Sequence, residues 1–201
     1  MEFFAWLTFA KMQDSLYGHL VLETGLGEGA YQHQTPAVHG LWPEVSPYGQ
    51  SECVRPQDTS FTFSQGRLPS CYQDASFLEH EWSKHGMCSG ARSDADYFEQ
   101  ICDLSNGPLQ VLQQLRQQGQ DLDAMASALS AQGYAVAKTD AAHQQIYLWA
   151  CAKPTDQSSF EWHLAAPEDF GTVCGAESPG SDPQRARRHH HHHHHRERWD
   201  A

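Results

Sequence analysis

The sequence predicts an α+β fold: a mainly antiparallel central sheet packed with several helices and braced by disulfides. Three observations carry that expectation. Strand-like runs lie at both ends of the chain with helical stretches between them. Six cysteines, an even number, are spread from Cys53 to Cys174. Of 201 residues 39% are hydrophobic, which suits one domain with a sizeable core.

Taken in order, Leu20, Val21 and Leu22 form the first β-like run, which ends at Glu23-Thr24-Gly25 and a glycine-rich turn through Gly29. Ala37 and Val38 read as the end of a second strand, and a loop rich in Pro, Gly and Ser runs from Pro43 to Pro56. Phe77 to His85 has helical character and stops at Gly86. Ser93 followed by Asp96, then Tyr97, Phe98 and Ile101, predicts a capped amphipathic helix. A separate helix is expected to begin at Pro108, with Leu109, Leu112 and Leu115 at helical spacing and Gly119 as its stop. Leu122 to Leu129 gives one more. Three strands follow, Tyr134 to Lys138, Gln145 to Ala152 and Phe160 to Ala165.

The ends of the chain differ from this pattern. Phe3 to Ala10 is apolar, but Glu2 precedes it where a secretory leader carries positive charge, and no small-x-small pattern follows. A core helix or a feature of the chain's start is expected there. From Ser178 the composition becomes that of a linker, followed by an unbroken run of histidines from His189 to His195. Residues 1–177 are therefore expected to form one domain, and 178–201 a linker and a disordered His-rich tail. Only that tail suggests a metal carrier.

Lys and Arg total 13 against 25 Asp and Glu, a formal charge of -12. A protein that grips nucleic acid by broad neutralisation of phosphates needs the opposite sign, so any such contact must be local. No apolar stretch is long enough to span a membrane. The cysteines permit three disulfides and an oxidising, secreted or periplasmic setting, with buried free thiols as the alternative. The absence of a C-x-x-C pair argues against zinc ribbons and thioredoxin chemistry.

Two clusters carry chemistry. The first is His39-Gly40-Leu41-Trp42-Pro43; the second is His80-Glu81-Trp82-Ser83-Lys84-His85-Gly86-Met87-Cys88. On a helix, with Glu81 at zero, His80, Lys84 and His85 fall at about -100°, -60° and +40°, so four ionisable groups share one side while Trp82, at about +100°, leaves that arc for the core. A zinc-protease helix spaces its two histidines four apart, whereas His80 and His85 are five apart with Lys84 intervening, so no metal site is expected. Acid-base chemistry on a phosphodiester fits better. It needs a base, an acid, and cations or donors for the non-bridging oxygens, and two histidines, a lysine and a carboxylate supply them. Solvated surface charge on an ordinary helix is the bland alternative.

Both segments, in this order and at this separation, closely resemble the active-site segments of the ribonuclease T2 family, the acid endoribonucleases. The resemblance extends more loosely over residues 16–176, through Tyr97-Phe98 and Ile146-Tyr147-Leu148-Trp149-Ala150-Cys151. It implies a single catalytic domain that cleaves single-stranded RNA without metal or other cofactor. Transphosphorylation would give a 2′,3′-cyclic phosphate, later hydrolysed to a 3′-phosphate. His39 and His85 would be the general acid and base, with the order between them open. His80 would hold the phosphate, Lys84 would support the charge building on phosphorus, and Glu81 would orient or tune its neighbours. Trp42 and Phe77 would contact bases; core packing is the alternative for each. The resemblance pairs Cys53 with Cys88 and Cys151 with Cys174, which leaves Cys71 with Cys102.

Departures also matter. The first strand lacks the family's Trp or Gln and its following cysteine, Met87 stands where Thr is usual, and the tail is atypical. His19, His33, His143 and His163 have no partner motif and are expected to be structural or surface residues. The expected protein is a monomeric, secreted or periplasmic endoribonuclease with a bell-shaped pH profile peaking on the acidic side. The unusual first strand motivates the alternative of a catalytically silent module that binds RNA or protein on the same scaffold.

Overall fold

The first strand, β1 (Tyr17–Glu23), buries all seven of its residues and is paired on both edges. The computed structural model describes residues 16–175, so the expectations for Phe3 to Ala10 and for the tail lie outside the described residues. After β1 come β2 (Ala37–Pro43), α1 (Leu78–Lys84), α2 (Asp94–Gln117) and α3 (Leu122–Ala131). The chain then forms β3 (Val136–Asp140), β4 (Gln145–Pro154), β5 (Phe160–Leu164) and α4 (Phe170–Cys174). The five strands make one antiparallel sheet in the order β2-β1-β4-β3, with β5 also paired to β4. The fold is α+β with disulfide bracing.

Alternation along β1 divides the sheet into two faces. Leu20 and Leu22 align with Leu41 and Val38 on β2 and with Leu148 and Ile146 on β4, and all join the main core with Ile101 and Leu112 of α2. The other face carries His19, Val21 and Glu23, in register with Trp149, Tyr147 and Gln145. That polar and aromatic face is where the site is built.

Two predicted elements differ from the sequence reading in more than their end residues. Ala37 and Val38 begin β2 rather than end it, so His39 and Trp42 stand on a strand. Gly40 and an irregular register hide the alternation there. Pro108 does not start a new helix but lies inside the 24-residue α2. An interior proline costs about 3 kcal/mol. Ile101, Cys102, Val111 and Leu112 on either side of it are buried, at roughly 1.5–3 kcal/mol for each large apolar side chain, and so hold the helix continuous. The predicted signals at its ends are present: the Ser93 hydroxyl accepts from the Asp96 N–H, and Gly119 follows the last turn with φ +71°. β3 starts at Val136 because the Tyr134 N–H closes the end of α3 on the Leu129 carbonyl.

Disulfides join Cys53 to Cys88, Cys71 to Cys102 and Cys151 to Cys174. The first ties the loop after β2 to the turn after α1, the second ties the loop before α1 to α2, and the third pins α4 to β4. A bridge of this kind stabilises by about 2–4 kcal/mol, chiefly by restricting the unfolded chain. Among the described residues no helix is long and apolar enough to cross a membrane.

Candidate active site

His39 is the residue inserted by a bulge in β2: Val21 pairs with Gly40, Leu22 pairs with Val38, and His39 has no partner of its own. Bulges re-aim side chains. Here Val38 and Leu41 keep to the core while His39 and Trp42 serve the opposite face. β2 is an edge strand, and two tyrosine hydroxyls satisfy its carbonyls: Tyr72 donates to His39 O at 3.0 Å and Tyr97 to Leu41 O at 2.7 Å. The backbone under His39 is thereby fixed from α2 and from the loop before α1.

The second segment folds as α1 and a tight turn. Leu78, Glu81 and Trp82 are its buried residues; Trp82 packs on Tyr97 and its indole N–H donates to Thr59 O at 3.2 Å. His85 lies one residue past the helix, not within it, although its N–H still bonds to the Glu81 carbonyl. The chain can turn there because Gly86 lies flat against the Trp82 ring, where any Cβ would overlap it.

The 1% exposed Glu81 carboxylate joins the two segments. Its Oε2 accepts from the Trp42 indole at 2.7 Å, and its Oε1 lies 3.2 Å from His39 Nε2. Gly40 makes this possible, since a Cβ there would occupy the position of the Glu81 carboxylate. Trp42 then relates the two imidazoles. The His39 ring meets it edge-on at 5.2 Å, and the His85 ring stacks on it at 4.8 Å and 15°. The two rings are therefore within about 10 Å of each other. Phe77 lies 5.5 Å from His39. His39, Trp42, Phe77, Glu81 and His85 thus form one cluster, while His80 and Lys84 are exposed beside it.

The two imidazoles have opposite proton affinities. Burial works against charge on His39, but bonds to Glu23 and Glu81 overcome it and carry the ring up to about 9. Burial takes His85 down to about 4; the Glu81 charge opposes this, and Lys84, His80 and His39 reinforce it. Between those limits one ring is an imidazolium and the other a free base. Such a pair can give and take protons at once.

Several contributors escaped the sequence reading. Glu23 at the end of β1 accepts from His39 Nδ1, and Gln145 places its amide 3.2 Å from the same nitrogen. His33, expected to stand alone, lies 2.8 Å from Glu23 through Nε2. Tyr31 stacks near His39 at 6.2 Å. The one available signal was the alternation of β1, which puts Glu23 opposite the core-facing Leu22. Among the described residues no group of three or more His, Cys, Asp or Glu side chains is arranged to hold a metal ion.

The family model described as "Ribonuclease T2 family" matches residues 24–161. An 85-residue stretch is 32% identical to "Ribonuclease MC" of Momordica charantia, covering 36% of this chain and 44% of that protein. A 68-residue stretch is 34% identical to "Ribonuclease" of Aeromonas hydrophila, covering 33% of this chain and 30% of the relative. The matched stretches therefore span less than half the length of either curated relative. No solved structure matches at comparable significance. Because the family match takes in well over half of the residues, including both segments that build the cluster, the chain belongs to the ribonuclease T2 family.

Proposed function

We propose that this protein is an endoribonuclease that cleaves single-stranded RNA by acid-base transphosphorylation. The observation that carries the reading is the pair of imidazoles held on one indole with opposite proton affinities. His85, neutral above about pH 4, is the base that takes the 2′-hydroxyl proton as the 2′-oxygen attacks phosphorus. His39, cationic below about pH 9, gives its Nε2 proton to the departing 5′-oxygen as that P–O bond breaks. The product is a 2′,3′-cyclic phosphate. Hydrolysis exchanges the roles: neutral His39 takes a proton from water, and the His85 imidazolium returns one to the 2′-oxygen, leaving a 3′-phosphate. No step calls on a metal ion.

The exposed His80 and Lys84 are the groups that meet the phosphate and its growing charge, while Glu81 orients His39 and Trp42. Trp42 and Phe77 supply aromatic surface for unpaired bases, which suits single-stranded RNA. The rate is bell-shaped with limbs near pH 4 and 9, centred near 6.5 on the acidic side of neutrality. Three disulfides fit an oxidising compartment, secreted or periplasmic, where the protein acts as a monomer.

The test is incubation of purified protein with single-stranded RNA in excess chelator. Cleavage that survives the chelator and is lost in His39→Ala and His85→Ala supports the reading. Intact RNA that remains bound contradicts it and marks a binding module instead.

A further inference from the structure

Glu23 faces His39 from the side opposite Glu81, at Nδ1 rather than Nε2. Its residue is 8% exposed, yet both carboxylate oxygens are engaged, and by different rings. Oε1 accepts from His39 Nδ1, and Oε2 lies 2.8 Å from His33 Nε2. His33 Nδ1 in turn meets the Thr35 carbonyl, so each His33 nitrogen faces an oxygen. The segment holding His33 is itself fixed. Its backbone N–H donates to Gly25 O at 3.2 Å, and Arg116 of α2 donates to Thr24 O at 2.7 Å and to His33 O at 3.3 Å. This is a built arrangement drawing on β1, its following loop and α2.

We propose that Glu23 is a positioning residue of the reaction: it retains the Nδ1 proton of His39, so that Nε2 is always the nitrogen that gives up and takes back the catalytic proton. The proposal rests on the reading of His39 as the acid. Buried carboxylates are costly unless paired, and Glu23, in register with Gln145 of β4, has each of its oxygens on a different imidazole. A carboxylate on one imidazole nitrogen sets the tautomer and orientation of the ring. When His39 delivers its Nε2 proton to the leaving oxygen, the neutral ring keeps Nδ1–H on Glu23. Its free Nε2 lone pair is then available to take a proton from water in the second step.

The groups around His39 are consistent with Glu23 supplying much of the charge that keeps it protonated. Glu81 from α1 is the other carboxylate; His85 and, through Glu23, His33 are the nearby imidazoles; Arg116 lies behind the loop. Tyr31 and Tyr72 face the ring or its backbone, and beyond Tyr31 lies His143, paired with Asp140. Gln145 from β4 is neutral. The Glu23 carboxyl is itself raised by burial and then brought below its ordinary range by its bonds to His39 and His33.

The test is Glu23→Gln, which keeps the shape and loses the charge. Its alkaline limb should move down by about one pH unit or more, and kcat at pH 8 should fall about 10- to 100-fold with KM changed less than about twofold. Glu23→Asp should restore part of the limb. In the wild-type protein, ¹⁵N NMR of histidine-labelled material should show His39 keeping its proton on Nδ1 when neutral. An unchanged limb and kcat in folded Glu23→Gln, or a neutral His39 protonated on Nε2, overturns the proposal; the second readout stands even if the variant does not fold. His39→Ala separates the two claims. If it still cleaves RNA at the wild-type rate, the acid reading itself fails; if it is inactive while Glu23→Gln is unaltered, only the role of Glu23 falls.

Discussion

His39 and His85 are the same side chain in two contrasting settings. His39 stands on a strand bulge with a carboxylate at each ring nitrogen, so the cationic form is hydrogen-bonded and favoured despite burial. His85 stands just past the end of a short helix, stacked on an indole, and burial with Lys84 and His80 nearby favours its neutral form. The difference lies in partners more than in depth. A buried imidazole with no paired anion loses its proton; one bracketed by two anions keeps it. A strand edge and a helix end, each ordinary alone, together supply an acid and a base at one pH.

The contrast can be broken most completely by removing either ring. His39→Ala and His85→Ala are each expected to reduce cleavage of single-stranded RNA by about 10²- to 10⁴-fold, the range for loss of general acid or base catalysis. Initial rates at pH 6.5 check this, and retention of more than a tenth of the activity by either variant would count against it. A smaller effect is expected from Glu81→Gln, which removes one of the two anions on His39 while keeping the shape of the side chain. Its alkaline limb should fall below pH 9 and kcat drop by about 10- to 100-fold, as read from a pH-rate profile. Trp42→Phe keeps a ring against His85 and loses only the indole N–H to Glu81, so about a tenfold loss is expected in the same assay.

Stability sharpens the comparison further. The raised His39 contributes stability that is fully present below about pH 6.5, the ordinary histidine value, and lost as pH rises through about 9. The lowered His85 acts in reverse: its favourable state is present above about 6.5 and lost as pH falls toward about 4. Each contribution is about 3 kcal/mol at the conversion of 1.36 kcal/mol per pH unit. Urea unfolding across pH should therefore show a maximum near 6.5 from this pair. In His85→Phe the acidic decline should be shallower, and in His39→Phe the alkaline one; an unaltered slope in either variant would contradict the assignment. The smallest expected effect is that of Gly40→Ala, where the new Cβ must push the Glu81 carboxylate aside. It should cost about 1–3 kcal/mol by the same urea measurement.

Local signals made much of the fold legible. The Ser93 cap, the Gly86 and Gly119 stops and the apolar runs of β1 and β4 are decided by near neighbours, so reading them in sequence works. Pro108 misled because its local cost is outweighed by burial along a face 24 residues long. The β2 bulge was hidden because it exists only in register with β1. At the site, the two motif segments were visible and the contrast between their histidines was not, since the charges that set the two proton affinities come from β1 and α1 folded together. Glu23 is 16 residues from His39 in sequence and touches it only across the sheet.

The most direct measurement uses a dinucleotide whose 5′-bridging oxygen is replaced by sulfur, a leaving group that needs no proton. On this substrate His39→Ala should recover to within about tenfold of the wild-type rate, while His85→Ala should remain as impaired as on the natural linkage. Recovery by His85→Ala instead, or by neither variant, would contradict the division of acid and base between the two rings.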